Sequence, residues 1–242
     1  MRQLSFYWSV FVWCVCGMTV EIPAVGSDLP PVSSSVSRSK SESAEVREFE
    51  VRVDDRPVGT HRLTIKSVGD TQQAEFQTDV KIDVIVYAYI FKLRGTEVWR
   101  EGRVESANVS REQGGKKRSF SLETDGCDQK ITLDGKPVSS SSPSLMTTTY
   151  WRLPPPEIRD NSLTIVDSDN GRSQTATLEF VSNETISTSG RSMACRHFKI
   201  DGPSPAELWF DEHERLVCQK ALERGHQVEL RLKQIRSPKD DH

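Results

Sequence analysis

Apolar and polar residues alternate along most of the chain between residues 46 and 236, which is the two-residue period of half-buried β-strands. The longest alternating stretch runs from Phe76 to Val86 and carries charged or polar side chains at the intervening positions. An α-helix fits this stretch poorly, because five successive alternations would spread the charges around its whole circumference. From Val84 to Phe91 both faces become apolar, which predicts a strand that is covered on two sides.

Turn signals separate these alternating stretches. Asp134-Gly135 and Asn170-Gly171 each lie between apolar alternations, and such dipeptides favour tight β-hairpins. Helical character is limited to a single turn near residues 154–159, in an otherwise loop-like stretch. We therefore predict an all-β fold, an antiparallel meander of about ten to twelve strands that forms a strongly curved open sheet or an incomplete barrel.

The start of the chain has a different pattern. Arg2 is the only charged residue before Glu21, and Phe6–Met18 is almost entirely apolar. Small residues follow at Ala24 and Gly26, so we predict a secretory signal peptide at residues 1–26 and export to the periplasm or the extracellular space. Retention of this segment as a membrane anchor is the alternative. No later stretch is long and apolar enough to span a membrane, so we expect no integral span in the mature chain.

The remaining organisation follows from composition. Residues 27–45 are rich in serine and predict a flexible tether, residues 46–236 a single β domain, and residues 237–242 a disordered tail. The chain has 242 residues and a net charge of −3. This near-neutral balance argues against a nucleic-acid partner, which requires a basic face. We expect a monomer.

Three cysteines remain after the predicted signal peptide: Cys127, Cys195 and Cys218. An odd number allows at most one intramolecular disulfide. Cys195 and Cys218 are the nearer pair in sequence, but three buried, reduced thiols explain the pattern equally well.

Candidate chemistry is sparse, because the sequence contains none of the common phosphate-binding, nucleophile-elbow or zinc-protease motifs. Cys195 and His197 share one face of a strand, about 7 Å apart, so a hydrolase with a thiolate–imidazole pair is one hypothesis. A packed cysteine and histidine is the simpler interpretation. The run 211–214 offers carboxylates beside an imidazole, but a solvated turn explains it fully. We predict no catalytic residue, no metal site and no cofactor.

Aromatic residues are the strongest candidates for binding. If the concave face of a curved sheet is partly uncovered, they line an apolar ligand cavity, although ordinary core packing is the alternative. The residues proposed for this lining are Tyr87, Tyr89, Phe91, Trp99, Trp151 and Trp209. His61, on the apolar face of its strand with Leu63, predicts a packed histidine rather than a general base.

Four short motifs carry a resemblance to a known family. They are Phe49-x-Val51-x-Val53-Asp54 with Pro57-Val58-Gly59-Thr60-His61, Glu97-Val98-Trp99-x-x-Gly102-x-Val104, Thr148-Thr149-Tyr150-Trp151, and Glu207-Leu208-Trp209-Phe210-Asp211 with Leu216-Val217. Together they resemble an uncharacterised family of exported bacterial proteins of unknown function. The family more often has tyrosine at the position of Phe210.

That family looks distantly like the LolA/LolB type of lipoprotein carrier, whose open β-barrel encloses an apolar cavity. The resemblance implies an exported cell-envelope module that binds a lipid or another apolar ligand without catalysis. Two alternatives stay open, a hydrolase that uses Cys195 with His197, and a structural or protein-interaction module without a ligand.

Overall fold

The computed structural model describes residues 42–84, 87–126, 128–138, 146–159, 162–223 and 225–237. Within them the chain forms one 3-10 turn, Pro156–Ile158, and the following strands: β1 (Glu42–Val53), β2 (Arg56–Val68), β3 (Thr71–Val84), β4 (Tyr87–Arg100), β5 (Arg103–Gln113), β6 (Lys116–Asp125), β7 (Asp128–Leu133), β8 (Lys136–Val138), β9 (Met146–Thr147), β10 (Ser162–Val166), β11 (Ser173–Thr188), β12 (Arg191–Asp201), β13 (Ala206–Phe210), β14 (Leu216–Glu223) and β15 (His226–Arg236). No helix in this described part is long and apolar enough to cross a membrane.

Several predicted features lie outside the described residues. They are the signal peptide at 1–26, the tether up to residue 41, Cys127 and the tail from residue 238. Strand β1 begins at Glu42, ahead of the domain boundary predicted at residue 46.

One sheet of 15 strands contains every strand, in the order β8-β7-β6-β5-β4-β3-β2-β1-β15-β14-β13-β12-β11-β10-β9. The chain thus forms two meanders that meet where β1 pairs with β15 through Phe49 and Leu232. Neighbouring strands are antiparallel except β9 and β10, which are parallel. Strands β8 and β9 are consecutive in sequence but lie at opposite ends of the sheet. No hairpin therefore fixes the direction of β9. The predicted all-β, open antiparallel architecture is confirmed.

The predicted strand number was too low, because some turns lack the residues that usually mark them. The stretch from Val84 to Phe91, predicted as one doubly covered strand, contains the end of β3 and the start of β4, and Val84 pairs with Tyr87. No Gly, Asn, Asp or Pro marks this connection. In contrast, the hairpin predicted at Asp134-Gly135 joins β7 to β8, and both residues have positive φ.

The apolar core covers one face of the sheet. Cross-strand neighbours Leu63, Phe76, Val109 and Phe120 form one buried row of it, as the alternation predicts. Gly95 completes the row in β4, because a Cβ there would lie 2.5 Å from the ring of Phe76. The side chains at the intervening positions lie on the opposite, polar face.

Residues 146–159 lie across the core face and connect distant strands. Met146, Trp151 and Leu153 are buried in the same apolar cluster as the strand residues. Arg47 in β1 donates a hydrogen bond to the carbonyl oxygen of Trp151 at 3.0 Å. This segment, here called the core segment, therefore fills part of the space that a curved sheet encloses.

The two arms of the sheet curve toward each other. The turn between β10 and β11 contacts β5 through the ion pair of Asp169 with Arg111. Gly171 in that turn has a φ of +69°, and its Cα faces the side chains of Phe120 and Ile131. Strands β8 and β9 form no ladder with each other in the described residues, so the sheet stays open.

Candidate functional site

The structure distributes the six aromatic residues predicted to line a cavity over three places. Tyr87, Tyr89 and Phe91 lie at the start of β4. Trp99 and Trp151 meet where the core segment contacts β4, and Trp209 lies in β13. Tyr89 and Trp99 are ten residues apart on one strand, a separation of roughly 33 Å. The side chain of Tyr87 lies outside the described part. The six residues are therefore not brought together around one cavity.

Trp99 and Trp151 lie against each other around a buried carboxylate. Their ring centroids are 5.8 Å apart, with an interplanar angle of 87°. Both indole N–H groups donate to Glu97 Oε2, at 3.0 Å from Trp99 and 2.9 Å from Trp151. The hydroxyl of Thr149 donates to Glu97 Oε1 at 3.0 Å. Two motifs far apart in sequence thus converge on one side chain, which has no solvent exposure.

Burial raises the pKa of Glu97, and the hydrogen bonds from both indoles and from Thr147 and Thr149 oppose this rise. Arg152 lies over both rings of the cluster, 5.1 Å from the centroid of Trp99. The described side chains of this cluster enclose no volume that a water-sized molecule could enter. The arrangement anchors the core segment to β4, and it leaves no room for a ligand.

Sequence reasoning placed Glu97 in one of the four motifs but did not predict it as a site residue, although a signal was present. Glu97 and Trp99 are two residues apart on a strand, so they share a face, and a carboxylate on an apolar face requires hydrogen-bond donors. The donor from residue 151 depends on long-range folding.

Trp209 belongs to a second polar cluster, with His197 and Glu184. The rings of Trp209 and His197 are stacked, with centroids 4.3 Å apart. Glu184 accepts a hydrogen bond from Trp209 Nε1 at 2.8 Å, and its other oxygen lies 2.8 Å from His197 Nδ1. Hydrogen bonds from Ser182, Trp209 and His197 lower the pKa of Glu184 to about 2.

Cys195 and Cys218 are both buried free thiols. Cys195 donates to the carbonyl oxygen of Met193 at 3.5 Å, while His197 Nδ1 is engaged by Glu184. Burial raises the pKa of Cys195 to about 11, and the nearby carboxylates of Asp211 and Glu184 act in the same direction. The structure thus brings Cys195 and His197 onto one strand in an environment that disfavours a thiolate.

The run 211–214 forms a turn between β13 and β14. Asp211 is buried and accepts from the backbone N–H groups of His213 and Arg215 at 2.9 Å each. Glu214 instead pairs with Arg159 and Arg196. The described residues contain no group of three or more metal-binding side chains in one place.

The third place, at the start of β4, projects from the sheet. Strands β3 and β4 pair with each other as far as Val84 and Tyr87. However, β2 pairs with β3 only as far as Val80, and β5 pairs with β4 only as far as Phe91. Residues 81–84 of β3 and 87–90 of β4, here called the β3–β4 ribbon, therefore extend about 13 Å beyond both neighbouring ladders.

The ribbon is mainly apolar, with Lys81 and Asp83 as its charged residues, and it stands beside a turn that lysines follow. Ile90 is 40% exposed, and Ile82 and Tyr89 are half-buried. The backbone N–H of Gly114, in the turn between β5 and β6, donates to the carbonyl oxygen of Ile90 at 3.1 Å. Three exposed lysines lie close to this contact in the strand register, and we call them the basic rim: Lys92, Lys116 and Lys117. Glu112 lies opposite both Lys92 and Lys117.

An open, strongly curved, single β-sheet with a filled core face defines the class as β-barrel-like. A β-barrel-like protein of the domain of unknown function DUF1849 from Brucella abortus has a similar structure, with a TM-score of 0.58. It is 7% identical in sequence, and the match covers 81% of this chain and 98% of that protein. At this identity the likeness concerns the fold alone.

The family is established by the sequence match of residues 49–233 to the domain of unknown function DUF6134. The chain belongs to this family, so the predicted membership of an uncharacterised family is confirmed. No curated protein matches the chain. The likeness to LolA- and LolB-type carriers stays a prediction.

Proposed function

We propose that the chain is an exported, non-catalytic module of the cell envelope that binds an anionic lipid surface through the β3–β4 ribbon. One observation carries this proposal, the projection of a mainly apolar strand pair beyond both of its neighbouring ladders. The sequence from Val84 to Ala88 contains no charged residue. Transfer of such a surface from water into a lipid phase lowers the free energy.

The surrounding charges favour an anionic surface. Lys116 and Lys117 begin β6 directly after the turn that contacts Ile90, and Lys92 follows Phe91 directly. Each lysine near an anionic membrane contributes about 1 kcal/mol at ordinary salt. Tyr87 and Tyr89 are residues that favour the boundary between lipid and water. The filled core face also supports a site outside the sheet rather than within it.

A non-catalytic role is supported by the raised pKa of Cys195, because the thiolate is the nucleophile in cysteine hydrolases. We expect iodoacetamide to label Cys195 more slowly than a small model thiol at neutral pH. Faster labelling would revive the hydrolase alternative.

Vesicle binding tests the proposal directly. The full chain is exported through the secretion machinery of a bacterial host, purified without detergent, and sedimented with phosphatidylcholine vesicles that contain phosphatidylglycerol. We expect Ile90→Asp to lower the vesicle affinity about tenfold or more, because it removes an apolar side chain and adds a negative charge.

Val68→Asp is the matched control, because Val68 is 42% exposed against 40% for Ile90 and lies at the far end of β2 from the ribbon. It should bind as the wild type does. Pure phosphatidylcholine should bind more weakly. Equal binding of the two variants would contradict the proposal, and so would binding that phosphatidylglycerol does not change.

A further inference from the structure

The polar face of strands β2–β7 contains a groove of about 800 Å³, separate from the β3–β4 ribbon. This volume lies within the range of small-molecule binding sites, although most such sites are lined by apolar side chains. The groove runs across the strands and spans about 24 Å from β2 to β7. Its lining is rich in small hydroxyl and amide side chains, Thr96, Asn108, Ser110, Ser119, Ser121 and Thr132.

The strand register forms this lining. Thr96 pairs with Asn108, Asn108 with Ser121, and Ser121 with Thr132, so these four side chains form one row across four strands. Gly95, which precedes Thr96 in β4, faces the core side instead, because a Cβ there would lie 2.5 Å from the buried ring of Phe76.

Ion pairs neutralise the charged side chains at the groove. Arg62 pairs with Glu48 at 3.6 Å, and Glu75 pairs with Lys66 at 3.1 Å. Arg94 pairs with Asp79 at 3.3 Å. Each charge at the groove therefore has a partner of opposite sign from the same face of the sheet. This balance favours an uncharged ligand over an anion or a cation.

We infer that this groove binds a neutral oligosaccharide. Hydroxyl and amide side chains both donate and accept hydrogen bonds, which matches the hydroxyl groups of a sugar. An elongated groove suits a chain of sugar units better than a single one. A peptide is less suited, because extended peptides bind by adding a strand to a sheet edge, and β3–β6 are paired on both sides.

An NMR titration of the isotope-labelled full chain with maltohexaose and chitohexaose tests this inference. Hydrogen bonds exchanged for water contribute about 1 kcal/mol each, so we expect weak, saturable binding of at least one sugar. The shifted amides should cluster in the groove. Asn108→Ala should lower the affinity about fivefold, since it removes one exposed hydrogen-bonding group.

Ser106→Ala is the control, because Ser106 lies two residues before Asn108 on the same face of β5 and outside the groove. It should bind as the wild type does. The Ile90→Asp variant should also bind sugar normally, which separates this inference from the lipid proposal. Three results would each overturn the inference: no binding of either sugar at its solubility limit, equal affinities of Asn108→Ala and wild type, or tighter binding of a neutral control peptide.

Discussion

Glu97 shows how a single buried residue organises this fold. It is a carboxylate on the apolar face, and it accepts hydrogen bonds from two indoles and a threonine that belong to different parts of the chain. Without it, two buried indole donors would lose their acceptor. A donor left without a partner costs about 1–3 kcal/mol.

We therefore expect Glu97→Ala to destabilise the protein by about 3 kcal/mol or more, from two unpaired indole donors and a cavity. Glu97→Gln should cost far less, because one amide oxygen can still accept from both indoles. Urea unfolding measures both variants. A loss below about 1 kcal/mol in Glu97→Ala would show that the indoles find other acceptors.

His61 makes stability depend on pH. Its Nδ1 lies 2.8 Å from the Thr78 hydroxyl, and its ring meets the edge of Phe49. Burial lowers the pKa of His61 from 6.5 to about 4. The folded state thus binds a proton less readily than the unfolded state, so this stabilisation is complete above pH 6.5 and is lost as the pH falls toward 4.

We expect the wild type to be less stable at pH 5 than at pH 7 by about 1–2 kcal/mol from this residue alone. His61→Gln should reduce that difference, whereas His213→Gln should not, because the His213 side chain is 63% exposed. Chemical denaturation at the two pH values measures this. An unchanged pH difference in His61→Gln would assign the effect to other groups.

At the scale of elements, β4 combines three environments along one strand. Its start belongs to the β3–β4 ribbon, its middle carries Gly95 below the ring of Phe76, and its end holds Glu97 and Trp99. The sequence pattern predicted strand character for the start of β4, where both faces are apolar from Val84 to Phe91. It could not separate the ribbon from the core, because exposure depends on how far the neighbouring strands extend.

Gly95→Ala should destabilise the protein by about 2 kcal/mol, because the new Cβ would overlap the Phe76 ring and the Asn108 carbonyl. Thr96→Ala, on the opposite face of the same strand, should change stability by less than about 1 kcal/mol. Thermal unfolding compares the two. Equal effects would show that the Phe76 ring moves aside at little cost.

At the scale of the whole molecule, the strands nearest the two ends of the chain meet in the middle of the sheet. Strand β15 lies between β1 and β14, and it contributes Leu232 and the buried Glu229. Each arm of the sheet is therefore a local meander, while the junction of the arms depends on the pairing of β1 with β15.

Removal of residues 226–242 should abolish cooperative unfolding, because it exposes two strand edges and part of the core. Removal of residues 238–242 alone should leave the melting temperature unchanged. Circular dichroism during heating distinguishes the two truncations. A cooperative transition without β15 would show that the arms fold independently.

Local pattern was sufficient for the class of fold, because alternation and turn dipeptides depend on residues close in sequence. It predicted the hairpin at Asp134-Gly135, which has the positive φ values that such turns need. It missed the connection between Val84 and Tyr87, where apolar residues replace turn chemistry. This missed connection is one reason why the predicted strand count was too low.

By itself, the sequence determined that this protein is an all-β chain with an apolar face and an open antiparallel sheet, since each strand carries its own two-residue period. Only the tertiary structure decided which aromatic residues meet. Trp99 joins Trp151 because the core segment crosses the sheet, whereas Tyr89 lies beyond the neighbouring ladders. Contacts between residues so far apart in sequence depend on where and how far the sheet curves. No local pattern encodes that geometry.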